Sequence, residues 1–140
     1  MAIELNHTIV PARDPKASAE LLAGILGLQV GPPVAHLGGL RGVVPPGKQS
    51  TPVTLANGVT LDYDHYDRVD EHHYAFAVSA AEFEAAFGRV PDAGIPYYAD
   101  PGCRQAGQVY TSKHGNRGVY FRDPDGHLME ILTPAEGEPT

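Results

Sequence analysis

Two histidines and two carboxylates stand at matching distances along the chain, and together they could hold a metal ion. His7 precedes Asp62 by 55 residues and His73 precedes Glu130 by 57, so each imidazole is followed by an acid at nearly the same interval. Two imidazole nitrogens and one carboxylate oxygen form a ligand set that suits non-haem Fe(II), and Mn, Ni and Zn are also possible. We therefore take His7, His73 and Glu130 as candidate ligands of a divalent metal.

Each of these residues has an ordinary structural explanation when it is considered alone. A histidine in a strand is often a partly buried residue bonded to the backbone, and Glu130 could pair with Arg122. The sequence neighbours of Glu130 are apolar, however, and a buried carboxylate requires a metal, a cation or hydrogen-bond donors. Asp62, which would bind through oxygen, is a weaker candidate for a fourth ligand, because Asp is shorter than Glu and because Asp64 and His65 are rival candidates.

The elements that must position these residues occur twice along the chain. In the first half, apolar alternation over residues 3–9 predicts a strand. Asp14 followed by a proline predicts a helix start, and Gly27 predicts the end of that helix. A further strand is expected within residues 34–44, and the Asn57-Gly58 pair predicts a hairpin with a type I′ turn.

The second half repeats this order. The alternation of His73–Val78 predicts a strand, and Ser79 with Glu82 predicts a capping box at the start of a helix. A strand through Tyr97 and Tyr98 follows, and the turn residues 123–126 predict a closing hairpin.

A strand, a helix and three strands in each half make two βαβββ modules, at about residues 1–66 and 70–136, of one domain spanning 1–140. Neither module is large enough to bury its own sheet, so we expect the two to curl around a shared cavity. The predicted fold class is α+β, with a cupped, partly closed mixed β-sheet and helices outside. The Gly-rich segment Gly102–Gly118 is either a lid over the site or an exposed loop.

Composition excludes several classes of protein. With 10 Lys and Arg against 17 Asp and Glu, the net charge of −7 argues against nucleic acid as a partner. The single cysteine, Cys103, excludes a disulfide framework and a thiolate metal cluster. No apolar run reaches the roughly 20 residues of a membrane span, and the start MAIELNH does not resemble a secretory signal. We expect a cytoplasmic protein, and the exposed strand edges of such a sheet favour a homodimer.

Three other histidines are expected to have ordinary roles. His72 shares its strand face with Tyr74 and Phe76, so we interpret it as a packing residue or as a support for a ligand. His127 follows a turn glycine and is expected to be exposed. His36 has no visible partner in the sequence.

Three stretches of the chain carry a family resemblance: Leu5–Asp14 (LNHTIVPARD), His73–Val78 (HYAFAV) and Val119–Pro134 (VYFRDPDGHLMEILTP). They are similar to segments of the vicinal oxygen chelate superfamily, which includes glyoxalases, bleomycin-resistance proteins, fosfomycin-resistance enzymes and extradiol dioxygenases. The resemblance extends over nearly the whole chain, although residues 32–51 contribute little to it.

The resemblance implies paired βαβββ modules and a divalent metal held by His7, His73 and Glu130. It also implies a small substrate that binds the metal through two adjacent oxygen atoms. In glyoxalase-like members a fourth ligand comes from the last strand of the first module, where this chain has Asp62.

The same resemblance suggests residues for the reaction itself. Extradiol-dioxygenase-like members carry a tyrosine ten residues before the ligand glutamate, which is Tyr120 here, and an acid/base histidine upstream, for which His114 is the candidate. In a lyase or isomerase, Glu130 or Asp62 would move a proton. We therefore expect a metal-dependent enzyme of the glyoxalase or extradiol-dioxygenase type. The alternative is a non-catalytic drug-binding protein like the bleomycin-resistance members, for which the charge of −7 would suit a cationic compound.

Overall fold

The computed structural model of the chain describes residues 2–33 and 50–134. The chain divides into two compact units, Met1–Asp70 and Glu71–Thr140, and the described part of each has one mixed sheet and one α-helix. This confirms the α+β class, while the strand predicted within 34–44, like His36, lies outside the described residues. The first unit contains β1 (His7–Ala12), α1 (Pro15–Leu26), β2 (Thr51–Thr54) and β3 (Thr60–His65). The second contains β4 (His73–Ala77), α2 (Ala80–Asp92), β5 (Tyr97–Tyr98), β6 (Tyr110–Thr111), β7 (Arg117–Arg122) and β8 (Leu128–Leu132).

In the first unit, β3 lies between the other two strands, parallel to β1 and antiparallel to β2. Successive residues of a strand point to opposite faces of the sheet, and one face carries the buried Val10 and Tyr63. Helix α1 contacts all three strands, and its Leu22 is equally buried, which makes this face the core. His7 and Asp62 lie on the opposite face.

Strand β1 begins at His7, later than the apolar alternation predicts. Ile3 and Leu5 are exposed rather than half-buried. The neighbouring strand β3 begins at Thr60, whose N–H donates to the carbonyl of Asn6 at 3.1 Å. Since β3 does not extend beyond this point, residues before Asn6 have no β3 backbone beside them, and the alternation there does not become a strand.

Both helices begin at the predicted caps. The Asp14 carboxylate accepts a hydrogen bond from the N–H of Ala17, and Gly27, at φ 72°, ends α1 in the left-handed conformation. At α2 the Ser79 hydroxyl accepts from the Glu82 N–H while the Glu82 carboxylate accepts from the Ser79 N–H, which is the predicted capping box. Local sequence therefore determined where each helix starts.

The hairpin of β2 and β3 is present, but the predicted type I′ turn is wrong. The N–H of Gly58 donates to the carbonyl of Leu55, and Gly58 has positive φ whereas Asn57 does not. The loop therefore has three residues, a type I turn followed by a left-handed glycine. Register explains the difference: Val53 lies opposite Leu61, and both are buried. A two-residue loop would shift the pairing by one residue and remove Val53 from the core face.

The second unit has the strand order β4-β8-β7-β5, with β6 also pairing with β7. Strand β8 is parallel to β4 and antiparallel to β7. The predicted strand at Tyr97 and Tyr98 is confirmed as β5, and the closing hairpin is confirmed by the bond from the Gly126 N–H to the Asp123 carbonyl. Strand β6 was not predicted. None of the helices within residues 2–33 and 50–134 has the length and apolar character needed to cross a membrane.

The two sheets place a histidine and an acid in the same register. In the first unit His7 lies opposite Thr60 of the parallel strand, and Asp62 follows Thr60 by two residues. In the second unit His73 lies opposite Leu128, and Glu130 follows Leu128 by two residues. Residues in these relative positions share one face of a sheet. The equivalence supports the internal repeat that the spacings predict.

Candidate functional site

Strands β4 and β8 bring His73 and Glu130 into direct contact. Nε2 of His73 lies 3.0 Å from Oε1 of Glu130. The Glu130 side chain is 11% exposed and that of His73 is 46% exposed, so a buried carboxylate is paired with an imidazole that reaches solvent. The alternative partner, Arg122, is wrong, because that guanidinium pairs with Glu71 at 3.3 Å and donates to a turn carbonyl.

The separation of these two atoms suits two ligands of one metal ion. Ligands at right angles with metal bonds of about 2.1 Å lie about 3 Å apart. Imidazole nitrogen and carboxylate oxygen are also donors that Fe(II), Mn, Ni and Zn accept. Over the described residues neither unit contains three or more His, Cys, Asp or Glu side chains grouped to hold a metal. The joining of His7 to the pair of His73 and Glu130 therefore stays a prediction.

Tyr110, which is not among the residues predicted from the sequence, belongs to this group of side chains. Its O–H donates to Oε2 of Glu130 at 2.9 Å. Burial, together with the hydrogen bond and the charge of Glu130, raises the pKa of Tyr110 well above its usual value, so the phenol keeps the proton that it donates. The available signal was the apolar pair Val109 and Tyr110 within a polar segment, which is typical of a short strand.

Tyr120 lies directly opposite Glu130 in the β7–β8 ladder and therefore on the same face. Its ring centroid is 6.0 Å from that of His73 and 5.8 Å from that of Tyr110. Burial and the nearby Glu130 carboxylate raise the pKa of Tyr120 to about 12. The structure thus brings two phenols, one imidazole and one carboxylate together on one face of the second sheet.

In the first unit, the exposed His7 lies at the beginning of β1. Its Nδ1 is 2.8 Å from the side-chain oxygen of Asn6, so Nδ1–H donates to that oxygen. In this tautomer the ring lone pair is on Nε2, which is the atom that a metal would bind.

Asp62 is buried on the same face as His7, at 3% exposure. Of the two rival residues, Asp64 accepts a hydrogen bond from the Ser50 hydroxyl, and His65 lies 3.4 Å from Asp67. His65 also points to the opposite face of β3 from Asp62. Asp62 and Asp64 share the face of β3 that carries His7, whereas His65 does not, and the role of Asp62 as a fourth ligand stays a prediction.

His114 lies in the exposed turn between β6 and β7, where its backbone N–H donates to the Ser112 hydroxyl at 3.1 Å. This turn belongs to the segment Gly102–Gly118, which was predicted as a lid or an exposed loop. The segment includes a short strand whose Tyr110 bonds to Glu130, so part of it is fixed on the sheet. An acid/base role for His114 stays a prediction.

His127 was expected to be exposed, and that expectation is wrong. Its side chain is fully buried, with the Tyr74 ring edge-on to it at 5.5 Å. The carboxylate of Asp123 accepts the backbone N–H of His127, which turns the chain inward after the hairpin. His72, as predicted, lies on the side of β4 that carries Tyr74, with ring centroids 6.2 Å apart.

Comparison with known proteins places these features in a family. The family model described as Glyoxalase/Bleomycin resistance protein/Dioxygenase superfamily matches residues 4–131. The chain belongs to this superfamily, as the resemblance of its three stretches predicts.

Individual relatives carry the names of enzymes. The structure of Oxidase ChaP-H2 is similar with a TM-score of 0.81 and 45% sequence identity, covering 99% of this chain and 98% of that one. Oxidase ChaP-H1 gives a TM-score of 0.78 and 43% identity, covering 98% and 100%. Metallothiol transferase FosB from Shouchella clausii (strain KSM-K16) is 38% identical over 80 residues, which are 56% of this chain. The match spans 50% of the length of that relative.

Proposed function

We propose that this chain is a metal-dependent oxidase that acts on a small molecule presenting two adjacent oxygen atoms. The observation that carries the proposal is the 3.0 Å approach of His73 Nε2 to Glu130 Oε1, on the same sheet face as Tyr120. The 45% identity to Oxidase ChaP-H2 supports oxidation as the reaction type. Lyase or isomerase chemistry, in which Glu130 or Asp62 would move a proton, is the alternative within the family.

The proposed metal ligands are His7, His73 and Glu130, and Asp62 would be a fourth, oxygen ligand in the lyase or isomerase alternative. When bound, a divalent ion would act as a Lewis acid toward the paired substrate oxygens, and Fe(II) would also allow dioxygen to react beside them. Among Fe(II), Mn, Ni and Zn we place Fe(II) first, because His7, His73 and Glu130 by themselves leave positions for both substrate oxygens and for dioxygen.

Tyr120 and His114 would donate and accept protons around the substrate. With a pKa of about 12, Tyr120 is protonated at neutral pH and can donate a hydrogen bond to a substrate oxygen. His114 is the proposed acid/base group, since an imidazole on an exposed turn can exchange protons with water. The half-exposed His73 ring marks the direction from which substrate can approach.

A cytoplasmic homodimer with no nucleic-acid or membrane partner completes the proposal. The net charge of −7 supports the exclusion of nucleic acid. The exposed Ile3, Leu5 and Ile9 provide apolar surface that a second copy of the chain could cover. Light scattering on the purified protein should give twice the chain mass, and a strictly monomeric result would remove this part of the proposal.

The experiment that tests the proposal combines metal analysis with oxygen uptake. We expect the purified protein, loaded anaerobically with Fe(II), to retain about one ion per chain and to consume dioxygen with a member of a catechol panel. Uptake should disappear when Zn replaces Fe(II), since Zn has no redox chemistry. Retention of metal without uptake would favour lyase or isomerase chemistry. Absence of stoichiometric metal with all four ions would leave the drug-binding alternative.

A further inference from the structure

Tyr110 reaches Glu130 because β7 has a glycine directly beneath its ring. Tyr110 of β6 lies opposite Gly118 of β7. A Cβ added to Gly118 would overlap the Tyr110 ring at Cε2, Cζ and the hydroxyl oxygen. The phenol therefore lies over Gly118 of β7, and from this position its hydroxyl reaches Glu130 on β8.

The two oxygens of the Glu130 carboxylate have different neighbours. Oε2 accepts the O–H of Tyr110 at 2.9 Å, while Oε1 lies 3.0 Å from Nε2 of His73. A carboxylate can bind a metal through one oxygen or through both, and a hydrogen bond to one oxygen favours ligation by the other. The arrangement thus singles out Oε1 as the oxygen beside the imidazole ligand.

We propose that Tyr110 is a positioning residue that restricts Glu130 to one-oxygen ligation through Oε1 and so preserves an open metal position for substrate. The proposal rests on the proposed function, in which Glu130 is a metal ligand. Tyr110 would act only through its hydrogen bond to Glu130 and is not proposed as a ligand. Gly118 is required for this positioning, because any side chain at residue 118 would displace the Tyr110 ring.

The segment that carries Tyr110 is itself fixed to the second sheet. The carboxylate of Asp100 accepts the backbone N–H groups of Arg104 and Gln105, which closes a tight loop after β5. The Gly107 N–H then donates to the carbonyl of Tyr97 at 2.8 Å. These hydrogen bonds attach the backbone to the second sheet at Gly107, three residues before Tyr110, and so restrict the position of the Tyr110 side chain.

The test compares Tyr110→Phe with the wild-type chain and with Tyr97→Phe as a matched control. Tyr97 is also a half-buried tyrosine of a short strand, but its ring packs edge-on against Phe87 at 5.0 Å, on the other face of the sheet. Each protein is loaded with Co(II) as the probe, and its affinity and visible absorption spectrum are measured. Thermal melting without metal verifies that each variant is folded.

We expect Tyr110→Phe to bind Co(II) about 10–100-fold more weakly than wild type, which is the usual cost of losing a supporting hydrogen bond. We also expect a weaker visible band, since release of Oε2 allows the carboxylate to bind with both oxygens and raises the coordination number. Tyr97→Phe should match wild type in both measurements. Identical affinity and spectrum for Tyr110→Phe and wild type would overturn the positioning role alone. Failure of the wild-type chain to bind Co(II), Fe(II), Mn, Ni or Zn would overturn the proposed function and the positioning role together.

A second pair of variants tests the part played by Gly118. Gly118→Ala should weaken Co(II) binding in the wild-type background, because the new methyl group displaces the ring. In the Tyr110→Ala background the same substitution should have little further effect on Co(II) affinity, since no ring remains to be displaced. Equal losses of Co(II) affinity in both backgrounds would contradict the role of Gly118 in positioning Tyr110.

Discussion

The backbone N–H of His72 donates a hydrogen bond to Nδ1 of His127 at 3.0 Å. The carbonyl of His72 accepts the N–H of Leu128 at 2.8 Å, so both sides of this residue are held by the end of the β7–β8 hairpin. Since His73 follows at once, the buried imidazole helps to fix the point where β4 begins. It thereby also fixes the backbone that presents His73 to Glu130.

Replacing His127 tests this link. His127→Asn places an amide oxygen near the position of Nδ1 and should retain most of the stability, whereas His127→Leu leaves the His72 N–H without its acceptor. We expect the leucine variant to lose about 1–3 kcal/mol of unfolding free energy, measured by urea denaturation. A leucine variant as stable as wild type would show that the bond contributes nothing, and equal losses in both variants would assign the effect to packing.

The burial of His127 also shows what the sequence could not predict. Helix caps at Asp14 and Ser79 were predictable because a cap is decided by residues three or four positions apart. The environment of His127 depends instead on β4, which lies more than 50 residues earlier in the chain. A turn glycine indicates a change of direction, but it does not indicate what packs over the next residue.

In the candidate site, too, some contacts could be predicted from the sequence and others could not. The contact of His73 with Glu130 follows from a repeat and a strand phase that the sequence displays. Val109 and Tyr110 indicate a short strand, but the contact of Tyr110 with Glu130 was not predictable, because it requires that strand to pair with β7 so that Tyr110 lies opposite Gly118. The type of turn after Leu55 was predicted wrongly for a similar reason. The register of β2 against β3 is set by the burial of Val53 and not by the turn residues.

Asp123 should make stability depend on pH. Burial raises the pKa of Asp123 above its ordinary value, which the neighbouring His127 offsets only in part. Within the described residues Oδ2 is buried without a hydrogen-bond partner, while Oδ1 accepts two backbone N–H groups. Because the folded-state pKa is higher than the unfolded value, ionisation costs stability as the pH rises from about 4 through the folded-state pKa.

Asp123→Asn keeps an oxygen for the two backbone donors and removes this ionisation. The unfolding free energy of the variant, relative to wild type, should therefore increase between about pH 4 and pH 7. Urea denaturation at several pH values measures the difference, and the exposed Asp92→Asn provides the control. A difference that does not change with pH, or one that falls as pH rises, would contradict the role of buried charge.

Two glycines of α1 should respond oppositely to the same substitution. Gly24 is exposed inside the helix, and an added Cβ would meet no atom within 4 Å. Gly24→Ala should raise the unfolding free energy by about 0.5–1 kcal/mol, because alanine loses less backbone entropy. Gly27 has φ 72°, so Gly27→Ala should lower it by about 1–2 kcal/mol. Thermal or urea denaturation checks the signs, and a stabilising Gly27→Ala would contradict the left-handed end of α1.

Adjacent histidines provide the sharpest test of the metal ligands. His73 faces Glu130, whereas His72 lies on the other side of β4 beside Tyr74. His73→Ala should remove tight binding of Fe(II) or Zn, because one of three proposed protein ligands is lost. His72→Ala should largely retain that binding, since residue 72 can still form its backbone hydrogen bonds to His127 and Leu128. Metal content after gel filtration measures the difference. Equal losses would mean that the strand phase assigned to β4 is wrong, and full retention by His73→Ala would remove His73 from the ligand set.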